Sequence, residues 1–414
     1  MIFHKSRFVS FMAIFSFAST SLMFADIPSQ QREALVKLYE SSNGTKWKKQ
    51  SNWGEGDPCI NKWQGITCSS DKSSITKIML SSNNLNGVIP DDLGELEDLT
   101  YLSLGSNKLK GAIPTSLAKL SNLTDLRLYD NALSGEIPDE ISELSQLTTL
   151  NLRTNKLSGK IPKSLGDLSN LQYLTLGDNN LKGKIPKELG KLSNLTDLRL
   201  YKNCFYSTIP KELGKLSHLT TLNLSKNRLS GKIPKELGQL TQLKYLTLGG
   251  NKLNTTIPKE LGKLTKLTDL RLYSNRLKGA IPKEFANLTK LKTLHLYNNR
   301  LSGAIPKELS NLTSLKSLKL GVNLLSGKIP DSLMELLKLE DLYLERNKLS
   351  GAIPSSIENL SKLKCVRLYK NSLYTNDSDV ENFLITKSKC LTNVYYVPKC
   401  NDQECEDAVI KDLF

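Results

Sequence analysis

Asparagine recurs at Asn83, Asn107, Asn131, Asn155, Asn179, Asn203, Asn227, Asn251, Asn275, Asn299, Asn323, Asn347 and Asn371, thirteen positions spaced by 24 residues without a slip. A period this strict constrains the fold more than the length of 414 residues, which alone would suggest two or three ordinary domains. Around each asparagine the apolar residues keep fixed offsets, as Leu93, Leu96, Leu99, Leu102, Leu104, Leu109 and Ile113 do around Asn107. A single unit cannot bury that face alone. Neighbours must stack, and the product is a solenoid rather than a globule.

Within a unit, Leu102 and Leu104 alternate with Tyr101, Ser103 and Gly105, a period of two that marks a short strand with its leucines inward. Strands of successive units pair in parallel, and thirteen of them at about 4.8 Å give an arc of roughly 60 Å. The asparagine column turns inward where the chain leaves the strand. A carboxamide carries both donors and an acceptor, so it can satisfy the backbone of the turning chain and of the next unit, as leucine could not.

The stretch "LTYLSLGSNKLKGAIPTSLAKL" resembles the plant-specific type of leucine-rich repeat, whose "LxGxIP" half follows the asparagine. That resemblance implies an α/β repeat solenoid: a leucine-rich repeat superhelix of about 13 coils, its parallel sheet on the concave face, capped at both ends. Residues 26–72 resemble the cap that opens such arrays, with a helical "QQREALVKLYESS" and the tryptophans Trp47, Trp53 and Trp63 sealing the core. The array then spans residues 73–374 and a C-terminal cap residues 375–414. Secreted polygalacturonase-inhibiting proteins and the extracellular regions of plant receptor kinases are built in this way, which implies recognition of peptides, proteins or glycans outside the cell. No segment resembles a kinase, so any signal would pass through a separate partner.

The N-terminus agrees with export. Lys5 and Arg7 precede a mostly apolar run from Phe8 to Phe24, which reads as a signal peptide of residues 1–25, with a retained membrane anchor as the alternative. No later segment is apolar enough to span a bilayer. Cys59 and Cys68 lie in the N-terminal flank, while Cys365, Cys390, Cys400 and Cys405 cluster near the other end, a distribution that suits disulfides in an oxidising compartment. If the first pair closes on itself, the last four allow three connectivities, and Cys204 is left over.

The formal charge is +16; loss of Lys5 and Arg7 with the signal takes away 2 and leaves +14. Such a chain favours anionic partners. Much of the charge sits in a ladder after each "IP", at Lys163, Lys187, Lys211, Lys235, Lys259, Lys283 and Lys307, mostly followed by glutamate. A solvated edge is the favoured reading, and binding of an acidic glycan the sharper one. Nucleic acid is not expected as a partner, because a secreted chain rarely meets it and no recognised nucleic-acid motif is present.

The heptad "LTDLRLY" appears three times, 72 residues apart. Strand alternation turns Asp125, Arg127 and Tyr129 outward, and likewise Asp197, Arg199, Tyr201 and Asp269, Arg271, Tyr273. In the first outward column Tyr101, Asp125, Thr149, Tyr173, Asp197, Thr221, Tyr245, Asp269 and Thr293 cycle with period three, so the duplicated unit is three coils long. Tyrosines beside the glycines Gly105, Gly177, Gly249 and Gly321 predict aromatic knobs and shallow pockets for a protein partner, with each Asp pairing to the Arg two residues on. Later coils break the beat with His295, Tyr297, Lys319, Tyr343, Glu345, Arg367 and Tyr369, which predicts a distinct patch there. Nine Asn-X-Ser/Thr acceptors mark candidate glycosylation sites, of which Asn223 falls on the strand face.

No Ser/His/Asp or Cys/His arrangement, metal-spaced cluster or phosphate loop stands out, so no catalysis, metal or cofactor is expected. His4 leaves with the signal, His218 stands alone and His295 lacks a repeated acidic partner. The sequence therefore points to an exported, non-catalytic recognition protein that binds a partner protein or peptide through its strand face. The alternatives are inhibition of a secreted polysaccharide-degrading enzyme and adhesion to acidic glycans through the lysine edge.

Overall fold

A computed structural model describes residues 26–387. Its spine is a sheet of fourteen strands on the concave side of a leucine-lined coil. Strand β1 (Ile66–Cys68) pairs antiparallel with β2 (Ile75–Met79). From β2 onward each strand pairs in parallel with the strand one coil later: Ile78 with Leu102, Leu102 with Leu126, and so on to Leu342 with Val366. The register offset is always 24 residues, so every outward side chain stands beside its counterpart in the next coil.

The predicted columns form one core. Leu93, Leu96, Leu99, Leu102, Leu104 and Leu109 are fully buried and Ile113 is 2% exposed, with the same offsets filled in the following coils. Each such side chain contributes about 1.5–3 kcal/mol, and the columns run on unbroken because each coil covers its neighbour.

The asparagine ladder ties the coils together. Asn131 Nδ2 donates to Leu104 O of the preceding coil at 3.0 Å, and to Leu128 O and Tyr129 O of its own at 3.2 Å. Its Oδ1 accepts from Leu109 N of the preceding coil at 2.9 Å. The pattern repeats as far as Asn371, which reaches back to Leu344 O and Leu349 N. Asn83 makes the same grip on the cap, accepting from Lys49 N and donating to Lys49 O. A buried amide with all its groups engaged is stabilising where an unpaired one would be costly.

After the asparagine the chain forms a second set of short strands and then a 3₁₀ turn that begins just past the "IP", for example Thr115–Lys119 behind Pro114. The glycine between these segments adopts a left-handed φ, +91° at Gly183 and +74° at Gly231. Two coils lack it. Ser207 keeps the same conformation at φ +74°, which strains a residue with a Cβ, whereas Thr255 does not adopt it. The ladder lysines, including Lys187, Lys211 and Lys235, are exposed, while Glu188, Glu212 and Glu236 after them are half-buried.

The open N-terminal end is closed by α1 (Ser29–Ser41), which lays Ala34, Leu35 and Leu38 on the core. Trp47, Trp53 and Trp63 pack beside it, with ring centroids 4.8 Å and 5.1 Å apart. Each indole N–H has a backbone acceptor: Ser42 O, Gln64 O and Glu55 O. Cys59 and Cys68 form a disulfide. At the other end α2 (Ser378–Lys387) follows the last coil with Val380 buried, and Cys365 is in a disulfide. The segment 1–25, expected to be a signal peptide, and Cys390, Cys400 and Cys405 lie outside the described residues. Among those described, no helix is long and apolar enough to cross a membrane.

Candidate functional site

Each strand of the concave sheet presents three outward positions: its first residue, its third, and the residue two further on. The leucines between them are buried, so these three columns carry all the side-chain chemistry of the face. In the duplicated coils the Asp and Arg two residues apart do pair. Arg199 Nε and Nη2 meet Asp197 Oδ1 and Oδ2, both at 2.8 Å, and Arg271 grips Asp269 in the same way at 2.8 and 2.9 Å. The hydrogen bond to Asp197 holds the Arg199 guanidinium above its usual pKa.

The first copy differs despite its identical heptad. Arg127 Nε and Nη2 both meet Asp125 Oδ1, at 3.2 and 2.7 Å, and its guanidinium lies 5.3 Å from the centre of the Tyr101 ring. In the later copies no such stacking occurs, and Tyr173 and Tyr245, the counterparts of Tyr101, remain 48% and 50% exposed.

The glycine gaps are not open pockets. Tyr129, Tyr201 and Tyr273 each lean back over the glycine of the preceding coil, so that a Cβ at Gly105, Gly177 or Gly249 would collide with the ring. This corrects the expectation of knobs beside cavities: the knob fills the gap. Arg153 then stacks on Tyr129 at 5.0 Å, and Tyr297 lies parallel to Tyr273 with ring centres 5.0 Å apart. Burial pushes the Tyr297 hydroxyl up to about 12.

Beyond Tyr297 the contacts run across strands. His295 Nε2 lies 2.9 Å from Ser317 Oγ, which donates to Asp341 Oδ2 at 3.0 Å. The single hydroxyl proton goes to the carboxylate, so the imidazole must be the donor to Ser317. This is the reverse of nucleophile activation, in which the imidazole takes the serine proton and the carboxylate orients the imidazole. Burial, then the charges of Lys319 and Arg271, hold the His295 imidazole down at about 3. Tyr343 is sandwiched between Lys319 Nζ at 4.0 Å and the Arg367 guanidinium at 4.4 Å. Glu345 occupies the gap at Gly321, 7% exposed, with Oε2 lacking a hydrogen-bond partner; burial raises its pKa. Tyr369 closes the row, 53% exposed.

The face thus brings all the predicted residues onto one surface, and it adds Tyr101, Arg153, Ser317 and Asp341. The last two were legible in principle, since in this register residues 22 and 24 apart are neighbours. Asn223 also lies on the face, where its Oδ1 accepts from the Ser225 hydroxyl at 2.7 Å. Among the described residues no cluster of His, Cys, Asp or Glu could hold a metal ion.

Family models for a leucine-rich repeat region match residues 78–208 and 197–304, a leucine rich repeat model matches 289–349, and a leucine rich repeat N-terminal domain model matches 28–69. The chain is a leucine-rich repeat protein. No curated protein sequence matches it. Solved structures similar to this leucine-rich repeat protein include the Arabidopsis receptor kinase HAESA in complex with the peptide hormone IDA and the co-receptor SERK1, with a TM-score of 0.74 and 32% identity over 84% of this chain and 62% of that one. The plant peptide hormone receptor RGFR1 in complex with RGF2 has a TM-score of 0.51 and 33% identity, over 75% of this chain and 64% of that one. A leucine-rich repeat protein of Leptospira interrogans has a TM-score of 0.57 and 33% identity, over 77% of this chain and 84% of that one. The leucine-rich repeat protein described here therefore spans less than two thirds of the receptor chains it matches. It shares with them a fold used for ligand recognition.

Proposed function

We propose that this is an extracellular, non-catalytic recognition protein that binds a partner protein or peptide through the concave face. The observation that carries the reading is the placement of half-exposed tyrosines, Tyr173 and Tyr245, on the same face as arginines already fixed by Asp197 and Asp269. A large aromatic surface beside a pre-oriented guanidinium loses little conformational freedom on binding, which is the character of an interface hot spot. The peptide hormones in the HAESA and RGFR1 complexes are consistent with this class of ligand.

The exposed lysine column favours a second reading, adhesion to an acidic glycan, because the accompanying glutamates are half-buried and the lysine charge stands outermost. Capture of a partner from extracellular material by the mature protein separates the two. Changing Tyr173, Tyr245 and Arg199 together to Ala abolishes capture on the first reading, whereas changing Lys187, Lys211 and Lys235 to Glu leaves it intact. Undiminished capture by the concave-face variant refutes the first reading. Glycan adhesion would also fall steeply between low and high salt, while aromatic contacts resist.

A further inference from the structure

We propose that the concave face recognises an extended polypeptide segment carrying two carboxylate side chains four residues apart, one held by Arg199 and the other by Arg271. This rests on the reading of the concave face given above and adds the chemistry and register of its ligand. A guanidinium has five N–H donors in a planar fork. The side-on bond to Asp197 or Asp269 uses the Nε hydrogen and one on Nη2, which leaves three donors directed outward. Those side chains are 47% and 44% exposed, whereas the aspartates beneath are 14% and 16% exposed. Each arginine is therefore anchored from below and open above, a geometry suited to end-on recognition of a second carboxylate.

The spacing follows from the duplication. Arg199 and Arg271 lie three coils apart, about 14 Å at the strand separation of a sheet. A chain extended across the strands advances about 3.3–3.6 Å per residue, so four residues cover roughly 13–14 Å, three roughly 10 Å and five roughly 17 Å. Side chains of an extended chain alternate between faces, so positions four apart point the same way, whereas positions three or five apart do not. Distance and direction select the same number. The intervening coils place Asn223 and Thr247 in the arginine column, short side chains that, with Asn223 free of glycan, leave the path between the two guanidinium groups unobstructed. Arg127, drawn over the Tyr101 ring, does not offer a third equivalent site.

The aspartate under each arginine offsets part of its attraction for an anion, so one contact alone is weak. Two joined contacts act through effective concentration, which makes the spacing decisive. The test uses the full-length protein produced without glycosylation and a series of capped twelve-residue peptides with two glutamates two to seven positions apart in a Ser/Thr/Val background, read by fluorescence anisotropy. Spacing four is expected to bind about 10-fold or more tightly than three or five. Arg199→Ala or Arg271→Ala alone removes that preference, and Arg199→Lys, which keeps the charge but loses the fork, does the same. Equal affinity at three, four and five overturns the inference. So does a preference that survives Arg271→Ala, or a whole series that binds no better than the glutamate-free parent. Should the spacing preference be absent while partner capture still depends on Tyr173 and Tyr245, only the register falls; should capture be independent of them too, the concave-face reading falls with it.

Discussion

The coils built around Arg199 and Arg271 and those from Thr293 to Arg367 share a backbone but differ in where their polar groups find partners. Within the three outward columns of the duplicated coils the ion pairs close within a strand: Asp197 with Arg199, Asp269 with Arg271. In the later coils hydrogen bonds and cation–π contacts cross from strand to strand, from His295 to Ser317 to Asp341, and from Lys319 through Tyr343 to Arg367. The difference has a simple origin. A pair that closes within one coil survives copying of that coil, because both partners travel together. The links from His295 to Asp341 and from Lys319 to Arg367 use residue types that the duplicated block does not hold at those positions, so they arise only where the three-coil beat has been lost. The duplicated region is consequently regular and leaves Tyr173 and Tyr245 open, whereas the divergent region is knitted together.

The strongest test of this comparison asks whether the regions really share a backbone framework. Asn203→Leu in the duplicated block and Asn323→Leu in the divergent one remove the same set of bonds to the preceding coil and its own. Each is expected to cost about 3–5 kcal/mol, since buried carbonyls and an N–H lose their partners. Denaturant titration of both variants measures the cost, and unequal values would show that the divergent coils rely on a different scaffold.

A smaller effect belongs to the knitted region alone. His295 has a folded pKa of about 3, below the ordinary 6.5, so its neutral form is the one the fold accommodates. Its contribution is complete above pH 6.5 and is lost as pH falls toward 3, because the unfolded chain binds the proton more readily over that interval. Facing it are Arg271, Lys319, Ser317, Asp341 and Tyr297. The loss is expected to be on the order of 2–4 kcal/mol. His295→Gln, which cannot charge, should flatten the dependence of thermal stability on pH between 6.5 and 4. An equally steep dependence in the variant would assign the acid sensitivity to other groups.

The smallest effect is the most diagnostic of where contacts lie. A double-mutant cycle between Lys319 and Tyr343 should give a coupling of about 0.5–1 kcal/mol. The corresponding cycle between Arg199 and Tyr173, where no ring stacking occurs, should give a value near zero. Coupling of equal size in both cycles would erase the distinction between the two regions.

How much of this was legible in the sequence depends on the reach of each interaction. The 24-residue asparagine period fixed the strand register, the leucine columns and the coil count, because each is a statement about positions relative to one residue. The Asp–Arg pairs were legible too, as residues two apart on one face must meet. What escaped was contact on the outward face between different coils. Tyr129 lying over Gly105 is a relation between residues 24 apart, and His295 with Ser317 between residues 22 apart. Both become visible once the sequence is written in columns and read across them. The different posture of Arg127 and Arg199 was not legible at all, since their heptads are identical.

The asparagine grip also bears on how such a molecule changes size. Every rung reaches one coil back, the first rung clasps Lys49 of the cap, and nothing along the ladder measures distance to the far end. A further block of three coils could therefore be spliced into the middle with all its rungs engaged and both termini undisturbed. Growth by whole blocks adds gripping surface in increments of about 14 Å, so the reach of the molecule along its target becomes a heritable quantity that can be adjusted without inventing a new fold.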